Sequence, residues 1–306
     1  PVVVCPAMHT EMWEQPAVQE NVAVLAERGV TIVGPEYGRL AGGDVGAGRL
    51  ADPVDILAAI DSILGGDGST AGGDMAGLEV LVTAGGTREP ICPVRYVGNR
   101  SSGKQGHALA LVAASRGAKV RCVTTQPDTA PDIIGIEVLA VETAAEMAAA
   151  VLNSSTSADI VLMAAAVADF RPVQVAGSKF KKADGAPEIM LEPTTDILAE
   201  LGRNRSPGQV LVGFAAETDH LRQNATSKLE SKGIDMIVAN DVSTAGVGFG
   251  HDTNAVLLLD RSGGTTEVPL SDKHQVAAAV LDAALRCLHN ASEAGGVTGP
   301  GEGVTG

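Results

Sequence analysis

Across residues 78–289 short apolar runs alternate with longer stretches in which apolar residues recur at helical spacing. The runs Leu78–Val82, Lys119–Thr124, Ile136–Val141, Ile160–Ala164, Val210–Phe214, Met236–Val238 and Ala255–Leu259 predict buried strands. Helices are predicted between most of them, at Gly103–Arg116, Thr143–Leu152, Asp196–Arg203 and His220–Lys232, with an amphipathic last helix over Ser271–His289. This alternation predicts an α/β domain whose parallel sheet is covered on both faces. Such sheets bind ligands beyond the carboxyl ends of their strands, where the segments after Val82, Ala164 and Phe214 all fall.

Upstream, Val2–Cys5 and Val30–Val33 read as strands, and Gln15–Arg28 and Pro53–Leu64 as helices. Between them Gly38–Leu50 is a long glycine-rich loop, suited to close approach by a ligand or to a lid. Residues 65–77 hold six glycines and no apolar pattern, which predicts a flexible linker. Residues 290–306 read as a disordered tail. The expected organisation is therefore 1–64, linker 65–77, 78–289 and tail 290–306.

Composition narrows the function. A net charge of −15 argues against nucleic acid or an anionic membrane as partner. No apolar run reaches the ~20 residues that span a bilayer, and no signal peptide is visible. The chain opens mid-strand without Met, as if cut at its N-terminus. Cys5, Cys92, Cys122 and Cys287 form no CxxC pair and read as reduced thiols, which suits the cytoplasm. With 2% aromatic residues, the core must be built from Ala, Val, Leu and Ile.

Candidate chemistry concentrates in three stretches. After Val82 come Gly85 and Gly86, a polar loop through Asn99, and a helix start at Ser101-Ser102-Gly103-Lys104. Free amides at a helix N-terminus make an anion site, with Ser101 or Ser102 as the expected cap. Gly98–Gln105 nearly reads as a P-loop, but Gln105 replaces the Ser or Thr that reaches magnesium. A dinucleotide fingerprint fails at Pro90, and no Tyr-x-x-x-Lys is present, which argues against an NAD(P) oxidoreductase. The second stretch runs from Met163 to Pro172 and is followed by Lys179, Lys181 and Lys182. Its small residues let a flat group approach the backbone, Asp169 suits a metal or a ribose hydroxyl, and the lysines suit a polyphosphate or are simply a solvated loop. The third comprises Glu192–Leu198 and Val212–Thr218, with Lys228 and Lys232 on one helix face. Phe214 there could pack on a ring or belong to the core.

Together these motifs resemble the phosphopantothenate–cysteine ligase half of the bifunctional coenzyme A biosynthesis flavoproteins. The resemblance rests on Thr83–Pro90, Pro93–Gly106, Ala165–Arg171 with Lys179–Lys182, Glu192–Leu198 and Val212–Thr218. It implies a Rossmann-like ligase domain that joins cysteine to 4′-phosphopantothenate through an acyl-cytidylate, using CTP and Mg²⁺. By resemblance, Met163, Ala164, Ala165, Asp169, Lys179, Thr195, Asp196, Ile197, Leu198, Phe214, Lys228 and Lys232 bind the nucleotide, and Asp169 can also serve the metal. Asn99 and Lys179 are the implied catalytic residues; Gly85, Gly86, Ser101, Ser102, Gly103 and Lys104 are expected to bind the phosphopantothenate. A homodimer through the ligase half is implied, with higher assembly in a full-length parent. A non-catalytic nucleotide-binding or assembly module is the rival reading.

Pro6–Trp13 and the glycine loop resemble the C-terminal part of the flavodoxin-like, FMN-dependent decarboxylase half. His9 stands where that family has Asn, beside Met12, and Gly42 stands where it has a proton-donating Cys. With these departures, and with the flavin domain incomplete, this chain alone is not expected to decarboxylate; FMN is expected in the full-length parent.

Overall fold

The computed structural model describes residues 2–40, 42–53, 56–57, 59–60, 73–131, 133–181, 185–217, 219–241, 248 and 250–295. The chain divides into two compact units, residues 1–71 and 72–306. In the first, β1 (Val3–Val4) pairs in parallel with β2 (Thr31–Ile32), and α1 (Thr10–Trp13) and α2 (Pro16–Glu27) lie between them in sequence. The expected glycine loop is instead an antiparallel hairpin of β3 (Glu36–Arg39) and β4 (Val45–Arg49). Its glycines serve the chain itself: a Cβ on Gly46 would stand 2.1 Å from Thr10 Oγ1, and one on Gly48 2.1 Å from the Met8 carbonyl. Parts of the expected helix Pro53–Leu64 lie outside the described residues.

The second unit is a single eight-stranded sheet with helices on both faces. Its parallel strands are β5 (Glu79–Ala84), β8 (Lys119–Thr124), β9 (Ile136–Ala140), β10 (Ile160–Met163), β13 (Val210–Glu217) and β14 (Met236–Asp241). They lie in the spatial order β9-β8-β5-β10-β13-β14. In chain order this is 3-2-1-4-5-6, the arrangement of doubly wound nucleotide-binding sheets. The Val and Ile runs are continuous because both faces are buried. Val80, Val82, Ile160, Leu162, Val210 and Val212 meet α3 (Lys104–Ser115) and α7 (Lys273–Gly295). Leu81, Val161, Leu211 and Ile237 meet α4 (Ala144–Ser155), α5 (Ile197–Asn204) and α6 (Leu221–Lys232).

Several expectations need correction. The sheet is not wholly parallel: β15 (Thr253–Asp260) runs antiparallel to β14, and β16 (Thr265–Asp272) adds an edge strand. A tight turn joins β15 to β16, in which Asp260 Oδ1 accepts from the amides of Ser262 and Gly264 at 2.9 Å each. The edge strand is largely exposed and carries Pro269, so its sequence lacks a buried-strand pattern. The polar loop after Gly86 is a hairpin of β6 (Arg88–Cys92) and β7 (Arg95–Gly98). A ribbon of β11 (Phe170–Pro172) and β12 (Leu191–Pro193) lies beside it. The downstream end of the expected linker is not free, because Met75 is fully buried in the core and Asp74 pairs with Arg116. The last helix continues past His289 to Gly295; residues 296–306 lie outside the described residues. Among the described residues, no helix is long and apolar enough to cross a membrane.

Gly106 brings α3 onto the end of β5. A Cβ there would stand 2.6 Å from both Ala84 Cβ and the Thr83 carbonyl oxygen. Gly106→Ala is expected to lower stability by about 1–3 kcal/mol, read as a lower denaturation midpoint at unchanged slope.

Candidate active site

The chain leaves β5 towards one side of the sheet and β10 towards the other, so a crevice opens at their carboxyl ends. The loops after the two strands are joined across it. Gly86 and Ala166 form a parallel bridge, and the Ala166 amide donates to the Gly85 carbonyl at 2.8 Å. Two fully buried threonines hold the second loop: Thr83 Oγ1 accepts from the Ala165 amide at 3.0 Å, and Thr87 Oγ1 from the Ala168 amide at 2.9 Å. Asn99 Nδ2 donates to the Val167 carbonyl at 3.1 Å. The Thr194 amide donates to the Asp169 carbonyl at 2.9 Å, bringing the segment ahead of α5 to the same place.

These loops wall a cavity of about 620 Å³. Met163, Ala164, Ala165 and Asp169 line it, as do Asn99, Ser101, Ser102, Gly103 and Lys104. Thr195, Asp196, Ile197, Leu198, Phe214, Lys228 and Lys232 complete the expected set. Phe214 is partly buried; it packs on the core and faces the cavity at once.

The cations come from both faces of the sheet. Lys228 on α6 pairs with Glu217 at 2.7 Å, and Lys232 pairs with Asp196. Asp196 is also the N-cap of α5, accepting from the Ala199 amide at 3.0 Å. Partial burial pushes the Asp196 carboxyl up, but Lys232 and the Ala199 amide outweigh it and hold the group below the usual carboxylate range. From the other face, Lys104 opens α3 and pairs with Asp252 at 2.5 Å, and its ammonium holds the Asp252 carboxyl below the usual range.

Three expected features lie elsewhere than on the cavity wall or differ in detail. Lys179 does not line the cavity; it is exposed on a segment without regular structure, tied to β6 where the Ala176 amide donates to the Ile91 carbonyl at 3.0 Å. Lys182 lies outside the described residues. Gly85 and Gly86 stand behind the wall: a Cβ on Gly86 would meet the Asn99 carbonyl oxygen at 2.6 Å. The cap of α3 is Gly103, at φ +78°, rather than Ser101 or Ser102. Its backbone turns back on the His107 ring and the Gly85 amide, which leaves little room for a side chain.

Sequence reasoning also missed wall residues. Gln105, Asn254 and Lys273 line the cavity, as does Asn240, whose Nδ2 donates to Asn254 Oδ1 at 3.4 Å. Lys273 had one available signal, since a cation in the first turn of a helix opposes the helix dipole. Among the described residues, no three His, Cys, Asp or Glu side chains gather as a metal cage. In the first unit His9 is half exposed and pairs with Asp44 at 3.0 Å, and Met12 is exposed.

Comparison with known proteins matches this architecture to a family. Residues 75–288 match the DNA/pantothenate metabolism flavoprotein C-terminal domain, and residues 1–65 match the flavoprotein family. The chain belongs to the DNA/pantothenate metabolism flavoprotein family. It is 44% identical to the coenzyme A biosynthesis bifunctional protein CoaBC of Mycobacterium tuberculosis, over 95% of this chain and 72% of that protein. It is 41% identical to a cysteine/cysteine sulfinic acid decarboxylase of an unknown prokaryotic organism, over 94% of this chain and 80% of that protein. A crystal structure of the C-terminal domain of a CoaBC protein covers 71% of this chain and 98% of its own, at 37% identity and a TM-score of 0.59.

Thr83→Val keeps the side-chain shape but leaves the Ala165 amide without its acceptor. The expected loss is about 1–3 kcal/mol, seen as a lower melting temperature by calorimetry.

Proposed function

We propose that the second unit is a phosphopantothenate–cysteine ligase of coenzyme A biosynthesis, using CTP. The observation that carries the reading is the cavity at the switch point, with lysines entering from both faces and a wall of small-residue backbone. An unactivated carboxylate resists attack by an amine. In the first step a carboxylate oxygen of 4′-phosphopantothenate attacks the α-phosphorus of CTP, and pyrophosphate leaves. In the second the cysteine amine attacks the acyl carbon, the bond from acyl carbon to phosphate oxygen breaks, and CMP leaves as the amine sheds its proton.

In this reading the backbone of Met163, Ala164 and Ala165, the Thr195–Leu198 turn and the Phe214 ring seat the nucleoside. Lys228 and Lys232 turn from their carboxylate partners to the more highly charged triphosphate. Lys179 reaches the same phosphates from its exposed segment. Asn99, already fixed on the alanine loop, faces the acyl-cytidylate, while Ser101, Ser102, Gly103 and Lys104 receive the phosphopantothenate. Gly85 and Gly86 contribute by letting the loops close behind it.

With no carboxylate cage among the described residues, Mg²⁺ would arrive with the triphosphate, Asp169 would help to hold it, and it would offset phosphate charge. A flavin does not fit against Gly46 and Gly48 of the first unit's hairpin, which abut the chain's own Thr10 and Met8. FMN, and any decarboxylation, are assigned to a longer flavoprotein half.

The ligase unit is further proposed to form a homodimer. Tyr96 and Phe170 on the adjacent ribbons β6–β7 and β11–β12, and Val94, Val175 and Met190 in the segments that join or flank their strands, are exposed, although the chain has few aromatic residues. An exposed apolar surface of this kind suits a second copy. A Tyr96→Asp, Met190→Asp double variant is expected to sediment as a monomer; an unchanged mass would exclude this surface.

Pyrophosphate release should require both CTP and 4′-phosphopantothenate, and added cysteine should yield amide and CMP. ATP in parallel tests nucleotide choice, and carbon dioxide from cysteine alone would favour the decarboxylase reading. Lys104→Glu is expected to raise the phosphopantothenate KM about tenfold or more, since it places a carboxylate where the substrate phosphate is received. Folded protein that releases no pyrophosphate with either nucleotide would leave a binding module.

A further inference from the structure

The start of β6 holds a buried carboxylate that the roles above do not use. Glu89 is 2% exposed, and its Oε1 accepts from the Ala144 amide at 2.8 Å. Ala144 is the first residue of α4, 55 residues further along the chain. That helix does not need the contact in order to begin. Thr143 is its N-cap and accepts from the Glu146 amide at 3.2 Å, while Glu146 Oε2 accepts from the amides of Glu142 and Thr143 at 2.7 and 3.2 Å. A capping box of this kind closes a helix N-terminus from its own sequence. Burying a carboxylate costs stability, and a helix already capped gives little reason to bear that cost. What Glu89 adds is a tie between α4 and β6.

Glu89 is one of three consecutive residues fastened to other elements. Thr87 Oγ1 holds the Ala168 amide of the loop after β10 at 2.9 Å. The Arg88 amide donates at 2.9 Å to the carbonyl of Glu142, on the chain that leads from β9 into α4. The pairing register shows what these ties carry. Arg88 lies opposite Gly98 and Glu89 opposite Val97, and Asn99 follows Gly98 directly. Gly98 is pressed on this rung, since a Cβ there would stand 2.4 Å from the Thr87 carbonyl oxygen. The backbone at Asn99 is therefore set by the rung that Glu89 anchors. Its side chain is set at the other end, where Nδ2 donates to the carbonyls of Val167 and Ala166 at 3.1 and 3.4 Å. Thr87 and Asn99 both refer the hairpin to the alanine loop. The contacts at Glu142 and Ala144 refer it to α4, and Glu89 supplies the side chain among them.

We infer that Glu89 is a positioning residue for the ligation step: by fastening the β6–β7 hairpin to α4, its carboxylate sets where the Asn99 amide meets the acyl-cytidylate. The inference rests on the ligase reading. Glu89 does not line the cavity, so it acts only through Asn99. Placement counts most in the second step, where the cysteine amine must approach the acyl carbon along one direction. A displacement of about 1 Å in such a site can cost about 10²-fold in rate. The nucleoside and triphosphate are seated by other elements and should not feel the change.

The test compares Glu89→Ala with Glu89→Gln by rapid quench, using CTP, Mg²⁺ and 4′-phosphopantothenate. Without cysteine, Glu89→Ala should release its first-turnover burst of pyrophosphate as fast as the wild type. The CTP and 4′-phosphopantothenate concentrations that half-saturate this burst should change by less than about threefold. With cysteine, CMP release per site should slow about tenfold to a hundredfold, and acyl-cytidylate should accumulate. The burst amplitude counts active sites, so a merely structural loss would lower it and leave CMP release per site unchanged. Glu89→Gln keeps an oxygen for the Ala144 amide and should return CMP release to within about threefold of the wild type. Should Glu89→Ala not fold, Ala144→Pro removes the donor instead and must show the same accumulation. Proline suits the first position of a helix, and Thr143 ahead of it already has extended backbone, at φ −97° and ψ 162°. Unchanged CMP release per site, or equal slowing of both steps, would overturn the inference and leave the ligase reading intact. So would a Glu89→Gln variant no faster than Glu89→Ala. Folded wild type that gives no burst would overturn the ligase reading and this inference together.

Discussion

The second unit depends on how closely two loops can approach at the centre of its sheet. β5 and β10 are neighbours, and their exits diverge, so the loop backbones meet where no further strand covers them. That junction would leave amides buried and unpaired if the side chains did not accept from them. Thr83 and Thr87 do so for Ala165 and Ala168, and the Gly86–Ala166 bridge joins the remainder. An unpaired buried amide costs about 1–3 kcal/mol, a large part of the net stability of a domain. The cavity is therefore shaped by the same hydrogen bonds that let the sheet end there. Gly106 adds to this by drawing α3 against β5, which aims the helix N-terminus at the junction.

Charge is the second organising element. In a chain of net charge −15, four lysines converge on one cavity, three of them held by acidic partners. Exposed pairs such as Lys104–Asp252 contribute little to stability. Their effect is positional: each keeps a long side chain in one orientation and can exchange its carboxylate for a more highly charged phosphate. Glu217 illustrates the point, because one oxygen holds Lys228 at 2.7 Å and the other accepts from Asn224 Nδ2 at 3.0 Å. The carboxylate is thus held by two residues one turn apart on a single face of α6.

Much of this architecture was legible in the sequence because it is parallel and buried. A strand covered on both faces must be apolar throughout, so Ile160–Ala164 and Val210–Phe214 announce themselves. Strands that are exposed, or that pair locally, do not. β16 is exposed and contains Pro269, and Pro90 interrupts what is nonetheless β6. Glycine misled for a related reason: density of glycine signals close approach without saying to what, and in β3–β4 the approach is to the chain's own α1 and Met8. The cavity was found through family motifs, whereas its α7 side was not. Asn254 and Lys273 belong to elements added after the doubly wound core, where no short motif pointed to them.

Lys273 also shows what kind of signal had been present. Local preference at the start of a helix favours acidic residues, and Asp272 follows it by accepting from the amides of His274 and Gln275 at 2.9 and 3.0 Å. Lys273 opposes that preference one residue later. An exposed lysine there would lose only about 0.3–1 kcal/mol against the helix dipole and could turn away into water. A buried one can do neither, and Met of similar length would fill the same space without charge. Local preference and burial thus disfavour this residue in the free protein, and among the described residues its ammonium has one long hydrogen bond, to Gly248. When every local term opposes a side chain on the wall of a cavity, the term that favours it must come from what the cavity receives.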